Sequence, residues 1–106
     1  MVDATKKTYK IDEYVVNGRR FDGMVDGVLV EAKHGYGNFV NKEGTGFQKW
    51  WKKGEDALIK EAKGQIEAAE GTPIKWFFSD EKVANVTKKI FEKEKINIEV
   101  VFQKLE

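Results

Sequence analysis

The residues with most chemical content lie near the start of the 106-residue chain: Asp22, then eight intervening residues, then Glu31-Ala32-Lys33. Two carboxylates and an ammonium group make a hydrolytic set. Asp22 and Glu31 could hold a divalent cation that serves as Lewis acid and activates water, while Lys33 stabilises developing negative charge or orients that water. Such a set suits phosphodiester hydrolysis. Composition narrows the alternatives. There is no cysteine, so disulfides and thiolate sites for zinc or iron–sulfur are excluded, and the single histidine, His34, cannot form a two-imidazole zinc site. Any metal must be held by carboxylate oxygens, which favours magnesium, manganese or calcium. His34 directly follows Lys33, so on a continuing strand it points to the opposite face and is misdirected for a general base.

The elements that must position this set are announced by turns. Asn17-Gly18 and Asp26-Gly27 are strong two-residue hairpin signals. They predict three antiparallel strands over 9–16, 19–25 and 28–33. Asp22-Gly23 could also turn, but the resulting strands would be too short. In this register Val25 faces Val28, Met24 faces Leu29, Asp22 faces Glu31, and Glu13 falls opposite Asp22. One face then carries Glu13, Asp22 and Glu31 in a row with Lys33 beyond. The other face, with Tyr14, Phe21, Val25, Val28, Val30 and Ala32, is expected on the core. Like charges opposed on a sheet cost up to ~1 kcal/mol per pair, which a cation between Asp22 and Glu31 would offset. The same alternation also fits a plain solvated strand face, and the residues alone leave both readings open.

Further along, Leu58, Ala62, Ile66 and Ala69 form a stripe at helical spacing, with Lys60, Lys63, Glu67 and Glu70 facing away, which predicts a helix over 55–70. Gly71 stops it and Pro73 follows. A buried strand is expected over 74–79, from Ile74, Trp76, Phe77 and Phe78. Ser79 or Asp80 would cap a second helix over 81–94, with Val83, Ala84, Thr87, Ile90 and Phe91 on its apolar face. A last strand covers 96–102. The order β-β-β-α-β-α-β implies a single mixed α/β domain over 1–106, with Leu105-Glu106 read as a cloning remnant. No apolar run approaches the ~18–20 residues of a membrane span, and the first ten residues carry four charges, so no signal peptide is expected.

A net charge of +1 conceals a local imbalance. From Lys33 to Lys53 five lysines meet one acid, a balance of +4 that leaves −3 for the rest. Lys42, Lys49, Trp50, Lys52 and Lys53 are therefore candidates for holding nucleic acid, lysines on phosphates and rings on bases. Trp50 and Trp51 could equally close the core.

Asp22, the apolar run and Glu31-Ala32-Lys33 match the PD-(D/E)xK nuclease signature. The succession Arg20-Phe21-Asp22-Gly23, Leu29-Val30-Glu31-Ala32-Lys33, Gly35-Tyr36-Gly37, Gln65-Ile66-Glu67-Ala68-Ala69, Gly71 and Trp76 resembles the restriction-endonuclease-fold toxin domains of bacterial polymorphic toxins, over roughly residues 14–102. The resemblance implies a restriction endonuclease-like core and a Mg²⁺- or Mn²⁺-dependent endonuclease acting on DNA, RNA being the other candidate. It implies a monomer carried on a larger toxin into the cytoplasm of competing bacteria and neutralised by a cognate immunity protein. Position by position, it makes Asp22 and Glu31 the metal-binding acids, Lys33 the catalytic lysine and Gln65 the accompanying amide. Such cores usually begin with a helix that often contributes an acid. Only eight residues precede the first strand here, so that helix is expected to be missing or truncated, with Glu13 as candidate third acid. A housekeeping nuclease such as a junction resolvase, or a non-catalytic nucleic-acid-binding module, stands as the alternative.

Overall fold

Both hairpin turns form as their residues require. Asn17 and Gly18, and again Asp26 and Gly27, have φ between 50° and 81°. Positive φ at both central residues defines the type I′ turn, whose twist matches that of the flanking strands. A computed structural model describes residues 14–104 of the chain. Around these turns lie β1 (Tyr14–Val16), β2 (Arg19–Phe21), β3 (Gly23–Val25) and β4 (Val28–Lys33). Then follow α1 (Lys52–Ala69), β5 (Ile74–Phe78), α2 (Glu81–Glu94) and β6 (Glu99–Phe102). Among the described residues, strands β1 and β2 form a two-stranded sheet; β3-β4-β5-β6 form a mixed sheet, antiparallel at β3–β4 and parallel thereafter. This is the expected mixed α/β architecture. Glu13 and the question of a first helix lie outside the described residues, as do residues 105–106.

Two expectations need correction. The strand over 19–25 is in fact two strands, broken at Asp22. The Asp22 carboxylate accepts a hydrogen bond from the Ala32 N–H at 2.7 Å, and its own N–H donates to the Val30 carbonyl at 3.0 Å. A side-chain oxygen thus stands where a backbone carbonyl would continue the ladder, and β2 departs from the large sheet. The second correction concerns which face is buried. Leu29 and Lys33 are buried and Glu31 half-buried, whereas Ala32 and Val25 are exposed, Val25 to 58%. The acid-bearing face packs on the helices, and the valine face is open among the described residues. Two parallel crossovers of the same hand, stepping the same way along the sheet, put both helices on one side. Trp76 records this directly: its indole N–H donates to Gln65 of α1, and its ring lies 5.3 Å edge-on from Phe91 of α2.

Both helices end on a left-handed non-glycine residue, Glu70 and Lys95, so α1 stops one residue before the expected 70. Glu70 takes a left-handed conformation after α1, and Gly71 follows with φ 93°. At α2, Asp80 rather than Ser79 caps the N-terminus, its Oδ1 accepting from the N–H groups of Lys82 (2.9 Å) and Val83 (3.2 Å). The core gathers Phe21, Leu29, Leu58, Ala62, Trp76, Phe78, Val83, Val86 and Phe91. Between β4 and α1 the chain builds an aromatic lobe: Trp51 stacks on Phe39 at 4.4 Å and meets Tyr36 and Phe47. An Asp80→Ala chain should lose about 1 kcal/mol of unfolding free energy in urea, the usual worth of such a cap; an unchanged midpoint would contradict the capping geometry.

Candidate active site

Strand β4 sends Leu29, Glu31 and Lys33 toward α1, and only the first of these is apolar. The Lys33 side chain is 9% exposed. Its ammonium is held by Glu61 of α1 at 2.7 Å and by Glu31 at 3.2 Å, and it lies 4.8 Å from the centre of the Trp76 ring. Burial alone would pull the lysine pKa down; the hydrogen bond and charge of Glu61, then Glu31 and the Tyr36 phenol, more than offset this and leave it raised. Glu31 is treated in the opposite way. Desolvation pushes its pKa from 4.5 to about 7, against the pull of Lys33, and the charges of Asp22 and Glu61 add to the rise. Without a further cation, ionised Glu31 is under-compensated.

Asp22 reaches the same place from the neighbouring strand. It stands at the break between β2 and β3, near enough for its charge to raise the Glu31 pKa. Both acids line a cleft of about 690 Å³ between the β1–β2 hairpin and the C-terminal half of α1, together with Arg19, Arg20 and Glu61. Among the described residues no three His, Asp or Glu side chains are gathered into a ready metal cage. The donors that do fit are two carboxylates, each with one oxygen uncommitted among the described residues: Asp22 uses Oδ2 on Ala32 and Glu31 uses Oε2 on Lys33. That is the donor set of a magnesium-type ion, which binds one or two carboxylates and fills its shell with water and substrate oxygens.

A family model described as restriction endonuclease fold toxin 5 matches residues 2–81. The chain belongs to this restriction endonuclease fold toxin family. Neither curated proteins nor solved structures give a significant match. The matched span of the toxin family takes in the hairpin, Asp22, Glu31, Lys33 and the whole of α1, ending at the start of α2.

Of the residues expected to work in such a toxin, Asp22, Glu31 and Lys33 are brought together, and Glu13 lies outside the described residues. Gln65 is not at the cleft. It is fully buried, its Oε1 accepting from the Trp76 indole at 2.8 Å, and its Nε2 has no partner among the described residues. Trp76 links it to Lys33, the indole N–H bonding Gln65 and the ring lying under the ammonium. Lys42, Lys49, Trp50, Lys52 and Lys53 also lie away from the cleft, before or within the first turn of α1. Lys52 pairs with Asp56, and Trp50 stands 67% exposed, edge-on to Phe39; Trp51, by contrast, closes the aromatic lobe. His34 is turned away, lining a separate cavity of about 360 Å³ beside Phe77 and Ser79. The residue that sequence reasoning missed is Glu61. Its only signal is position: three residues after Leu58 and one before Ala62, at the margin of the buried stripe.

Between about pH 4.5 and 7 the folded chain keeps a proton on Glu31 that the unfolded chain has already released. This group therefore costs stability as pH rises through that window. In EDTA, Glu31→Gln should melt above the parent chain at pH 8, with the gap closing toward pH 4.5. A gap that is constant with pH would refute the raised carboxyl.

Proposed function

We propose that this toxin domain is a divalent-metal-dependent endonuclease that hydrolyses phosphodiester bonds, DNA being the expected substrate. The observation that carries it is the convergence of Asp22, Glu31 and Glu61 on one cleft, with the Lys33 ammonium held behind them by the two glutamates. Asp22 and Glu31 would hold Mg²⁺ or Mn²⁺ through their uncommitted oxygens. The bound ion supplies Lewis-acid activation of water and of the phosphate. Lys33 keeps its proton throughout, because its pKa is raised, and so offers a permanent positive charge to the anion that develops during attack. Glu61 limits the rotamers available to that ammonium, and the Trp76 ring closes the side away from solvent. The lobe carrying Lys42, Lys49, Trp50, Lys52 and Lys53 supplies charge and an exposed ring for the strand beyond the cleft.

As a toxin of interbacterial competition, the domain would act as a monomer in the cytoplasm of the target cell. A cognate immunity protein would neutralise it in the producer. Incubation with plasmid and Mg²⁺ should give degradation that EDTA blocks, and Glu31→Ala or Lys33→Ala should lower kcat on the order of 10²-fold or more. Parallel assays on structured RNA decide the substrate class. Equal behaviour of parent and variants would instead favour a non-catalytic binding module.

A further inference from the structure

The wall of the cleft opposite the acids is the β1–β2 hairpin, and it is fastened to α1 at two levels. The Asn17 side chain donates to the Ala68 carbonyl at 2.6 Å, and Phe21 is buried to 2% exposure. Arg19 lies two residues before Phe21 on β2, so it leaves the same strand face and points at the helix. It meets the helix at Gly64. A methyl group built on Gly64 would overlap the Arg19 guanidinium, so the guanidinium occupies a notch that the missing Cβ of glycine leaves open.

A glycine inside an 18-residue helix is otherwise an unfavourable choice, since only proline is a poorer helix former. The notch explains its presence only if the position of the guanidinium matters. Yet Arg19 makes no ion pair or hydrogen bond among the described residues, although Glu61, Glu67 and Glu70 line the same cleft. Among the described residues, the arginine is thus held in place with no acceptor for its donors. A cleft rich in carboxylates repels a polyanion, and a fork of N–H donors on its opposite wall is the group best shaped to hold a phosphate there.

We propose that Arg19, seated in the Gly64 notch, binds a backbone phosphate of the nucleic acid in the cleft. The assignment rests on the nuclease reading above and names one of its substrate contacts. Gly64→Ala is the informative variant, because its structural and functional effects have opposite signs. Alanine favours the helix, and the atom it displaces is the end of a flexible side chain, so Gly64→Ala should melt at or above the parent temperature. Its affinity should nevertheless fall. In a slow-cleaving Lys33→Ala background with Mg²⁺, which keeps both metal-binding acids, both Arg19→Ala and Gly64→Ala should weaken binding of a short DNA duplex roughly tenfold. For Arg19→Ala the slope of log K against log salt should become shallower by about 0.9, the loss of one phosphate contact. The double variant should be no weaker than Arg19→Ala alone.

Parental affinity and salt slope in Arg19→Ala, with the parent protein cleaving nucleic acid, would overturn this assignment and leave the nuclease reading intact. A parent protein that neither cleaves nor binds nucleic acid would overturn both. Should Gly64→Ala melt lower, the notch argument falls, and Arg19→Ala, at an exposed position, decides the phosphate contact by itself.

Discussion

An ammonium group on the covered side of a sheet has to be compensated where it lies. Lys33 is that group, and its three neighbours come from three different elements: Glu31 from β4 itself, Glu61 from α1 and the Trp76 ring from β5. Removing one partner from a buried pair typically costs 3–5 kcal/mol, because the remaining charge is stranded. Glu61 is 30% exposed, which tempers that figure here. The packing of α1 on the sheet and the geometry of the candidate site are therefore a single constraint. If α1 shifted by one turn, the lysine would lose its closest partner and the cleft would lose Glu61 as well.

The path of the chain around the site follows from Asp22. Had the second strand run on unbroken, β1 and β2 would have extended the sheet and left the edge of β4 flush with its neighbours. The Asp22 carboxylate intercepts the Ala32 N–H instead. That break frees β2 to turn Phe21 and Arg19 toward α1, where Asn17 fastens the hairpin to the helix backbone. One residue both presents a carboxylate to the cleft and creates the bend that gives the cleft its second wall. Exchanging that aspartate for asparagine would preserve much of the bend while removing the charge, so the two roles are separable in principle.

The parts of this arrangement that were legible in the sequence are those fixed by local chemistry. Asn-Gly and Asp-Gly demand one turn type, and Gly71 and Asp80 mark helix ends by their backbone and capping properties. The Asp26-Gly27 turn set the register of residues 23–25 on 28–30, and the family-like run singled out Asp22, Glu31 and Lys33 as one set. Which face of the sheet is buried was not legible. Period-2 alternation separates two faces but does not say where the crossovers land, and a face carrying Leu29, Glu31 and Lys33 looks more like the solvent side than one carrying Val28, Val30 and Ala32. Glu61 and the Gln65–Trp76 bond were hidden for a related reason: both depend on how a helix is rotated against a strand far away in sequence. A half-polar helix margin reads the same whether it faces water or a buried lysine.

Electrostatically the molecule is divided. The cleft is lined by Asp22, Glu31, Glu61, Glu67 and Glu70 against Arg19 and Arg20. The lysine-rich segment lies at the other end of α1, with Lys52 ~18 Å from Gly64 at helical rise. If the substrate is a nucleic acid, its phosphates are drawn first to the lysines and repelled from the acids, and salt weakens both effects over about a Debye length. A divalent cation would offset most of the excess negative charge at the cleft and at the same time remove the reason for Glu31 to hold a proton. Engagement of the strand at the cleft would then be conditional on the ion, with proton release from Glu31 accompanying the ion below about pH 7. On the proposed reading, a buried lysine, an under-compensated glutamate and a remote basic lobe would act in sequence: the lobe would collect the strand, the ion would admit it, and the lysine would meet the charge that hydrolysis creates.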